Sequence, residues 1–142
     1  MAEKTIDIAS PILSRNERLA DQLRQRFNET NTYVINVLSS PGSGKTTTIL
    51  GTNKRLRDKA GLRCAVIEGD IASDVDAITM KEAGMPAIQI NTGGLCHLEG
   101  NMIMEAVDAF DQAVGLENID VIFIENVGNL VCPAEFDTGA VK

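Results

Sequence analysis

The sequence lacks the features that mark nucleic-acid-binding, membrane and secreted proteins. Its 142 residues hold 13 lysines and arginines against 20 aspartates and glutamates, a formal charge of −7, without the clustered cations that nucleic-acid phosphates require. No run approaches the roughly 20 apolar residues that span a bilayer. Residues 1–10 lack the apolar core of a signal peptide. We therefore expect a cytoplasmic protein that binds neither nucleic acid nor membrane.

Cysteine is scarce as well. Cys64, Cys96 and Cys132 cannot all pair within one chain, and a reducing cytosol disfavours disulfides. These thiols are therefore expected to be small core residues, metal ligands or nucleophiles. The composition, 44% hydrophobic and 23% charged, together with the length fits a single globular domain over residues 1–142.

The order of apolar runs and turn residues predicts an α/β fold. Ser14 and Glu17 form a capping-box pattern, which places a first amphipathic helix at about residues 14–28. Strands are predicted at residues 33–38, 63–68, 87–90 and 119–124, with helices at about 44–61, 73–84 and 103–114. This alternation indicates right-handed crossovers and a mainly parallel sheet with helices on both faces, a three-layer architecture.

Residues 39–46 follow a strand, precede a helix and have the Walker A pattern of P-loop NTPases, with Ser39 in place of the first glycine. The glycines turn backbone amides toward an anion, and the helix adds its positive N-terminal dipole. We expect Lys45 on the β- and γ-phosphates and the Thr46 hydroxyl on Mg²⁺. The predicted nucleotide-binding residues are Pro41, Gly42, Ser43, Gly44, Lys45, Thr46 and Thr47. The alternative is a glycine-rich turn that merely precedes a helix.

Acidic residues follow two of the predicted strands, at the sheet edge where such folds bind ligands. Glu125 stands at the Walker B position and is expected to hold Mg²⁺ directly or through water. Asp70 is the candidate for a further Mg²⁺ or water-orienting carboxylate. Gly128 offers an N–H to the γ-phosphate and a pivot for a nucleotide-dependent switch. Together with Lys45, these are the predicted catalytic residues.

A second, softer donor set consists of Cys96, His97 and Cys132. Both segments that carry it follow strands, so they can reach the same sheet edge. Thiolates and imidazole suit Zn²⁺ or Ni²⁺ and are poor ligands for Mg²⁺. Three ligands leave the site incomplete, so water or a partner subunit would supply the rest. The alternative is that the cysteines merely pack as small hydrophobes, which is the role we expect for Cys64.

Four blocks, residues 37–46, 68–70, 96–98 and 125–133, together resemble the HypB family of hydrogenase nickel-incorporation GTPases, which belong to the SIMIBI class of P-loop proteins. The resemblance runs from about Asn16 to the end of the chain, and Ser39 is typical of the family. It implies a GTPase that uses GTP and Mg²⁺ and forms a homodimer when nucleotide or metal is bound. It further implies that Cys96, His97 and Cys132 bind nickel or zinc at the dimer interface. The implied partners are a second nickel chaperone and the hydrogenase large-subunit precursor.

The sequence differs from that family in two respects. Residues 1–15 lack the cysteine- or histidine-rich extension of some members. The guanine-reading Asn/Thr-Lys-x-Asp sequence does not occur before Lys142. We therefore expect a C-terminally incomplete domain with its last strands missing, an unpaired sheet edge and impaired GTPase activity. A preference for GTP over ATP rests on the resemblance alone.

The function predicted from these observations is GTP hydrolysis coupled to nickel delivery for nickel–iron hydrogenase maturation. Water would attack in line while Lys45 and Mg²⁺ absorb charge on the phosphates, slowly, because no arginine finger is evident. Loss of the γ-phosphate would move Cys132 relative to Cys96 and His97 and so change nickel affinity. The alternatives are a urease-type nickel GTPase, another P-loop ATPase or kinase, and a non-catalytic zinc-bound dimerisation module.

Overall fold

Helices and strands alternate along the chain. The computed structural model describes residues 9–39, 44–69, 79–95, 97–128, 133 and 136–142. In chain order the elements are α1 (Ala9–Thr30), β1 (Tyr33–Val37), α2 (Lys45–Ala60), β2 (Cys64–Glu68), β3 (Ala87–Gln89), α3 (Gly100–Ala113), a 3-10 turn (Leu116–Asn118) and β4 (Val121–Glu125). Of the helix predicted over 73–84, residues 79–82 are described and are helical. Among all the residues that the structure describes, none of the helices has both the length and the hydrophobicity that a bilayer span requires.

The strands of the described residues form one parallel sheet in the order β1-β4-β2-β3. β4 lies inside the sheet, and its last residue, Glu125, is in register with Val37 of β1 and Glu68 of β2. Both β2 and β4 are buried along their whole length, because helices cover both faces. The carboxyl ends of three strands therefore meet at one edge of the sheet.

Two apolar clusters, one on each face of the sheet, make up the core. The first joins α1 and α3 to the sheet through Leu23, Phe27, Ile103, Val107, Phe110, Val34, Ile67, Ile122 and Ile124. The second joins α2 and the segment around residues 80–85 to the other face through Ile49, Met80, Met85, Cys64, Val66, Val121 and Phe123. The predicted three-layer α/β architecture is thus confirmed.

Cys64 is a core residue, as predicted. Its side chain is buried in the second cluster. Burial, aided by the nearby carboxylate of Asp120, raises the pKa of the thiol to about 11. Such a thiol stays protonated at neutral pH, so Cys64 is poorly suited to act as a nucleophile or a metal ligand.

The first helix begins earlier than the sequence predicts. It runs over Ala9–Thr30, so the predicted start at Ser14 is wrong, and the Ser14 to Glu17 pattern lies inside the helix and does not cap it. Pro11 stands in the first turn, where its missing N–H breaks no intrahelical hydrogen bond. A capping-box pattern on its own does not exclude a helix that begins several residues earlier.

The outer edge of β1 is partly paired. Val141 donates its N–H to Val34 O at 2.9 Å, and Asn36 donates to Lys142 O at 2.7 Å. The expectation of an unpaired sheet edge is therefore wrong over this stretch. The same terminal segment is fixed to α1, because Arg24 forms an ion pair with Asp137.

Candidate functional site

The carboxyl edge of the sheet brings together two glutamates and the start of α2. Glu68 and Glu125 end neighbouring strands in register, and each is only 3% exposed. Side chains alternate along a strand, so both glutamates lie on the same face as Val66 and Phe123, the face that α2 covers. Two ionised carboxylates buried side by side are stabilised by positive charge near them. The positive end of the α2 dipole lies on this face of the sheet.

Thr46 links α2 directly to this pair of carboxylates. Its Oγ1 donates a hydrogen bond to Glu125 Oε1 at 3.1 Å. A hydroxyl and a carboxylate in contact form the hard oxygen donor set that Mg²⁺ prefers. The side chains of Thr46 and Glu125, which the sequence predicts to share one Mg²⁺ ion, therefore fit that ion chemically.

The first turn of α2 has backbone geometry suited to an anion. Gly44 precedes it in the left-handed conformation, with φ 90° and ψ 28°, which residues with a Cβ rarely adopt. Gly44 O accepts the N–H of Thr48 at 3.0 Å. Lys45 is buried and Thr47 is exposed. The remaining predicted nucleotide-binding residues, Pro41, Gly42 and Ser43, lie outside the described residues.

Beyond β4 the chain continues along the same edge of the sheet. Asn126 donates its backbone N–H to Val37 O at 3.2 Å, and its fully buried side chain donates to Asn36 Oδ1 at 3.0 Å. Gly128 follows this fixed stretch and is half-buried, so the structure places it past the end of β4, as the sequence predicts. Asp70 lies outside the described residues.

His97 is buried in a defined orientation. Its ring stacks on Phe136, with centroids 3.8 Å apart and planes 9° from parallel, and Nε2 lies 3.1 Å from Glu99 Oε1. Cys96 and Cys132 lie outside the described residues. Among the residues that are described, no three histidine, cysteine or acidic side chains form a metal-binding group. The structure therefore places one of the three predicted soft-metal ligands.

Leu98 connects the histidine segment to the nucleotide edge. Its side chain is fully buried and covers Gly69, where a Cβ would come within 2.5 Å of Leu98 Cδ1. Gly69 in turn donates its N–H to Glu125 O at 2.8 Å. The segment that carries His97 therefore packs directly on the strand ends that carry the buried glutamates.

The predicted site residues do not include Glu99 or Phe136, and the sequence prediction names Glu68 only as part of the block 68–70, without a role of its own. A signal for Glu68 exists, because β2 and β4 share one pattern, four apolar residues followed by glutamate. Parallel strands with this pattern place their terminal glutamates side by side. No local signal identifies Phe136, because its contact with His97 depends on how the C-terminal segment packs.

Known proteins are similar to this chain in sequence and in fold. The family model described as "CobW/HypB/UreG, nucleotide-binding domain" matches residues 33–140. The chain belongs to the CobW/HypB/UreG family. The relatives and the solved structure described next confirm the predicted resemblance to HypB proteins and the P-loop NTPase fold.

Individual relatives of the CobW/HypB/UreG family support this assignment. The chain is 44% identical over 138 residues to the hydrogenase/urease maturation factor HypB of Helicobacter hepaticus, covering 97% of this chain and 55% of the relative. It is 46% identical over 136 residues to the hydrogenase maturation factor HypB of Escherichia coli K12, covering 96% and 45%. The crystal structure of HypB from Helicobacter pylori in complex with nickel matches with a TM-score of 0.79 and 41% identity, covering 89% of this chain and 57% of that one. The chain thus spans about half the length of the curated relatives it matches.

Proposed function

We propose that the chain carries the nucleotide-binding part of a cytoplasmic GTP-hydrolysing metallochaperone that delivers nickel for nickel–iron hydrogenase maturation. The observation that supports nucleotide binding is the hydrogen bond from Thr46 to Glu125 at the start of α2, next to the buried Lys45. The relatives named hydrogenase maturation factor support the maturation role. The Helicobacter pylori HypB crystallised with nickel supports nickel as the cargo.

In this proposal each residue has a distinct part in phosphoryl transfer. Lys45 neutralises oxygens of the β- and γ-phosphates, and Thr46 and Glu125 hold Mg²⁺. Bound there, Mg²⁺ supplies positive charge to the phosphate oxygens. Asp70 orients the attacking water, and the Gly128 N–H binds the γ-phosphate. A preference for GTP over ATP is proposed from the family resemblance.

The cargo site is proposed to consist of Cys96, His97 and Cys132, which bind nickel or zinc. We further propose a homodimer when nucleotide or metal is bound, with a second nickel chaperone and the hydrogenase large-subunit precursor as partners. The contact of Leu98 with Gly69 supports coupling between cargo and nucleotide, because the side chain next to His97 packs on the backbone next to Glu68.

A urease-type role is the second candidate. It is favoured by the Helicobacter hepaticus relative, which is named a hydrogenase/urease maturation factor. Nickel-loaded protein mixed with apo-urease, or with the hydrogenase large-subunit precursor, distinguishes the two targets. Transfer to the precursor alone supports the first proposal, and transfer to urease alone supports the second.

Phosphate release tests whether the chain acts on nucleotide at all. The test measures phosphate release from GTP and from ATP by the wild type, by Lys45→Ala and by a control variant. The control, Lys54→Ala, removes an exposed lysine from the same helix. GTP hydrolysis that is lost in Lys45→Ala and kept in Lys54→Ala supports the proposal. Activity confined to ATP indicates another P-loop ATPase or kinase. A metal-dependent dimer without phosphate release from either nucleotide indicates a non-catalytic module.

A further inference from the structure

We propose that Glu99 is a positioning residue that orients His97 so that Nδ1 is the ring nitrogen presented to a soft metal ion. The inference rests on the proposed function, in which His97 binds nickel or zinc.

The hydrogen bond between the two side chains decides which nitrogen faces the metal. Glu99 Oε1 lies 3.1 Å from His97 Nε2, and the His97 and Glu99 side chains are 11% and 29% exposed. A carboxylate only accepts hydrogen bonds, so Nε2 carries the proton of this bond. A neutral imidazole with its proton on Nε2 has its lone pair on Nδ1. Metal-bound histidines commonly donate their other N–H to a carboxylate in this way.

Stacking on Phe136 fixes the plane of the His97 ring. The centroids are 3.8 Å apart and the planes differ by 9°. Phe136 is itself held, because the next residue, Asp137, pairs with Arg24 and its carbonyl accepts a hydrogen bond from Asn16 Nδ2 at 2.8 Å. With one nitrogen bonded and the plane set, the direction of Nδ1 is determined.

The side chain of Glu99 does not cap α3, the helix that it precedes. Glu99 is the N-cap residue of α3, a position whose side chain often accepts a hydrogen bond from an amide of the first turn. Its side chain makes no such bond. The buried Asn16 takes that role, since its Oδ1 accepts the N–H of Gly100. The carboxylate of Glu99 contacts His97 instead.

The chain contains a single histidine, so long-range ¹H–¹⁵N NMR of labelled protein observes His97 alone. In the metal-free protein we expect the proton on Nε2. On addition of Zn²⁺ we expect the Nδ1 resonance to shift to a metal-bound position while Nε2 stays protonated. Coordination through Nε2 overturns the positioning role and leaves the proposed function standing. If Zn²⁺ leaves both ring nitrogens unchanged, His97 is not a ligand, and both this inference and the proposed cargo site fail.

Variants of Glu99 supply a second, independent readout. Glu99→Ala should weaken Zn²⁺ and Ni²⁺ binding by roughly 10- to 100-fold. Glu99→Gln keeps an oxygen that accepts the Nε2 proton and should recover most of that loss. Glu105→Ala removes an exposed carboxylate from α3 and should bind metal as the wild type does. Wild-type affinity in Glu99→Ala, or equal losses in Glu99→Gln and Glu99→Ala, overturns the inference.

Discussion

Leu98 covers Gly69 so closely that a Cβ on residue 69 would lie 2.5 Å from Leu98 Cδ1. Leu98 directly follows His97, and Gly69 directly follows Glu68. Gly69 also donates its N–H to the carbonyl of Glu125. This contact joins the histidine segment to the strand ends that carry the buried glutamates. Closely packed interiors transmit displacements. A movement of the histidine segment should therefore displace the strand ends, and the reverse should also hold.

A methyl group at residue 69 should disturb this contact. Gly69→Ala is expected to lower the free energy of unfolding by about 1–3 kcal/mol, because a fully buried leucine has no space to withdraw. Leu98→Ala is destabilising alone through the cavity it leaves, but it makes room for the new methyl. Urea unfolding of both single variants and the double variant measures the coupling. We expect the double variant to lose less than the sum of the single losses, and simple additivity would contradict the contact.

The hydroxyl of Thr46 should be needed for Mg²⁺-dependent nucleotide binding. Thr46→Val keeps the branched shape and removes the donor to Glu125. We expect nucleotide affinity in Mg²⁺ to fall roughly 10- to 100-fold, because Mg²⁺ would lose the hydroxyl oxygen as a ligand and one contact with a charged group contributes about that much. Thr46→Ser retains the hydroxyl and should bind nearly as the wild type does. Titration of a fluorescent guanine nucleotide with and without Mg²⁺ measures this, and a loss of the same size without Mg²⁺ would argue against a shared metal site.

The fold is encoded locally and was therefore largely predictable. β2 and β4 are short apolar runs, and Gly61 ends α2 in the left-handed conformation, with φ 65°. The alternation of such strands with helices leaves few arrangements other than a parallel sheet. The start of α1 is different, because the pattern from Ser14 to Glu17 also occurs inside helices and Pro11 is compatible with an earlier first turn.

Some residues of the candidate site could be predicted from local sequence patterns, and others could not. Thr46 and Glu125 belong to recognisable local patterns, and the structure brings their side chains together. The position of Glu68 beside Glu125 follows from comparing the endings of β2 and β4. The stacking of His97 on Phe136 joins residues distant in sequence, and residues 136–142 contain neither helix nor strand. No local pattern encodes such a contact.

The ion pair of Arg63 with Asp120 should make stability depend on acid pH. Hydrogen bonds from the side chain and the backbone N–H of Arg63 lower the pKa of Asp120. A carboxylate whose pKa is lower in the folded state stabilises the fold above its unfolded value of about 3.9 and loses this effect as the pH falls through the folded value. Asp120→Asn should therefore lower the thermal midpoint at pH 7, with a difference from the wild type that shrinks below about pH 4.

The control for this pH dependence is Asp58→Asn, which alters an exposed aspartate on α2. Its thermal midpoint should follow that of the wild type from neutral to acid pH. A deficit in Asp120→Asn that stayed constant down to acid pH would show that the lost charge is not its cause.

Removing the Cys96 thiol should abolish binding of the soft metal without affecting binding of Mg²⁺. Cys96→Ala is expected to abolish stoichiometric nickel or zinc while leaving Mg²⁺–nucleotide binding nearly unchanged, because thiolates favour the borderline ions. Cys64→Ala is the matched control and should keep its metal, since that thiol is buried with a pKa raised to about 11. Native mass spectrometry counts metal and nucleotide in the same sample. Loss of both ligands in Cys96→Ala would identify Cys96 as structural.

Nickel affinity should depend on the bound nucleotide, because the contact of Leu98 with Gly69 joins the two sites. Between GTP- and GDP-loaded protein we expect a difference of roughly 5- to 150-fold, the usual range of coupling between sites. Linkage requires nickel to change the ratio of GTP to GDP affinity by the same factor. Leu98→Ala should bring that factor closer to one if the contact transmits the coupling. Calorimetric titration of nickel into both forms measures it, and equal affinities would leave cargo binding independent of nucleotide hydrolysis.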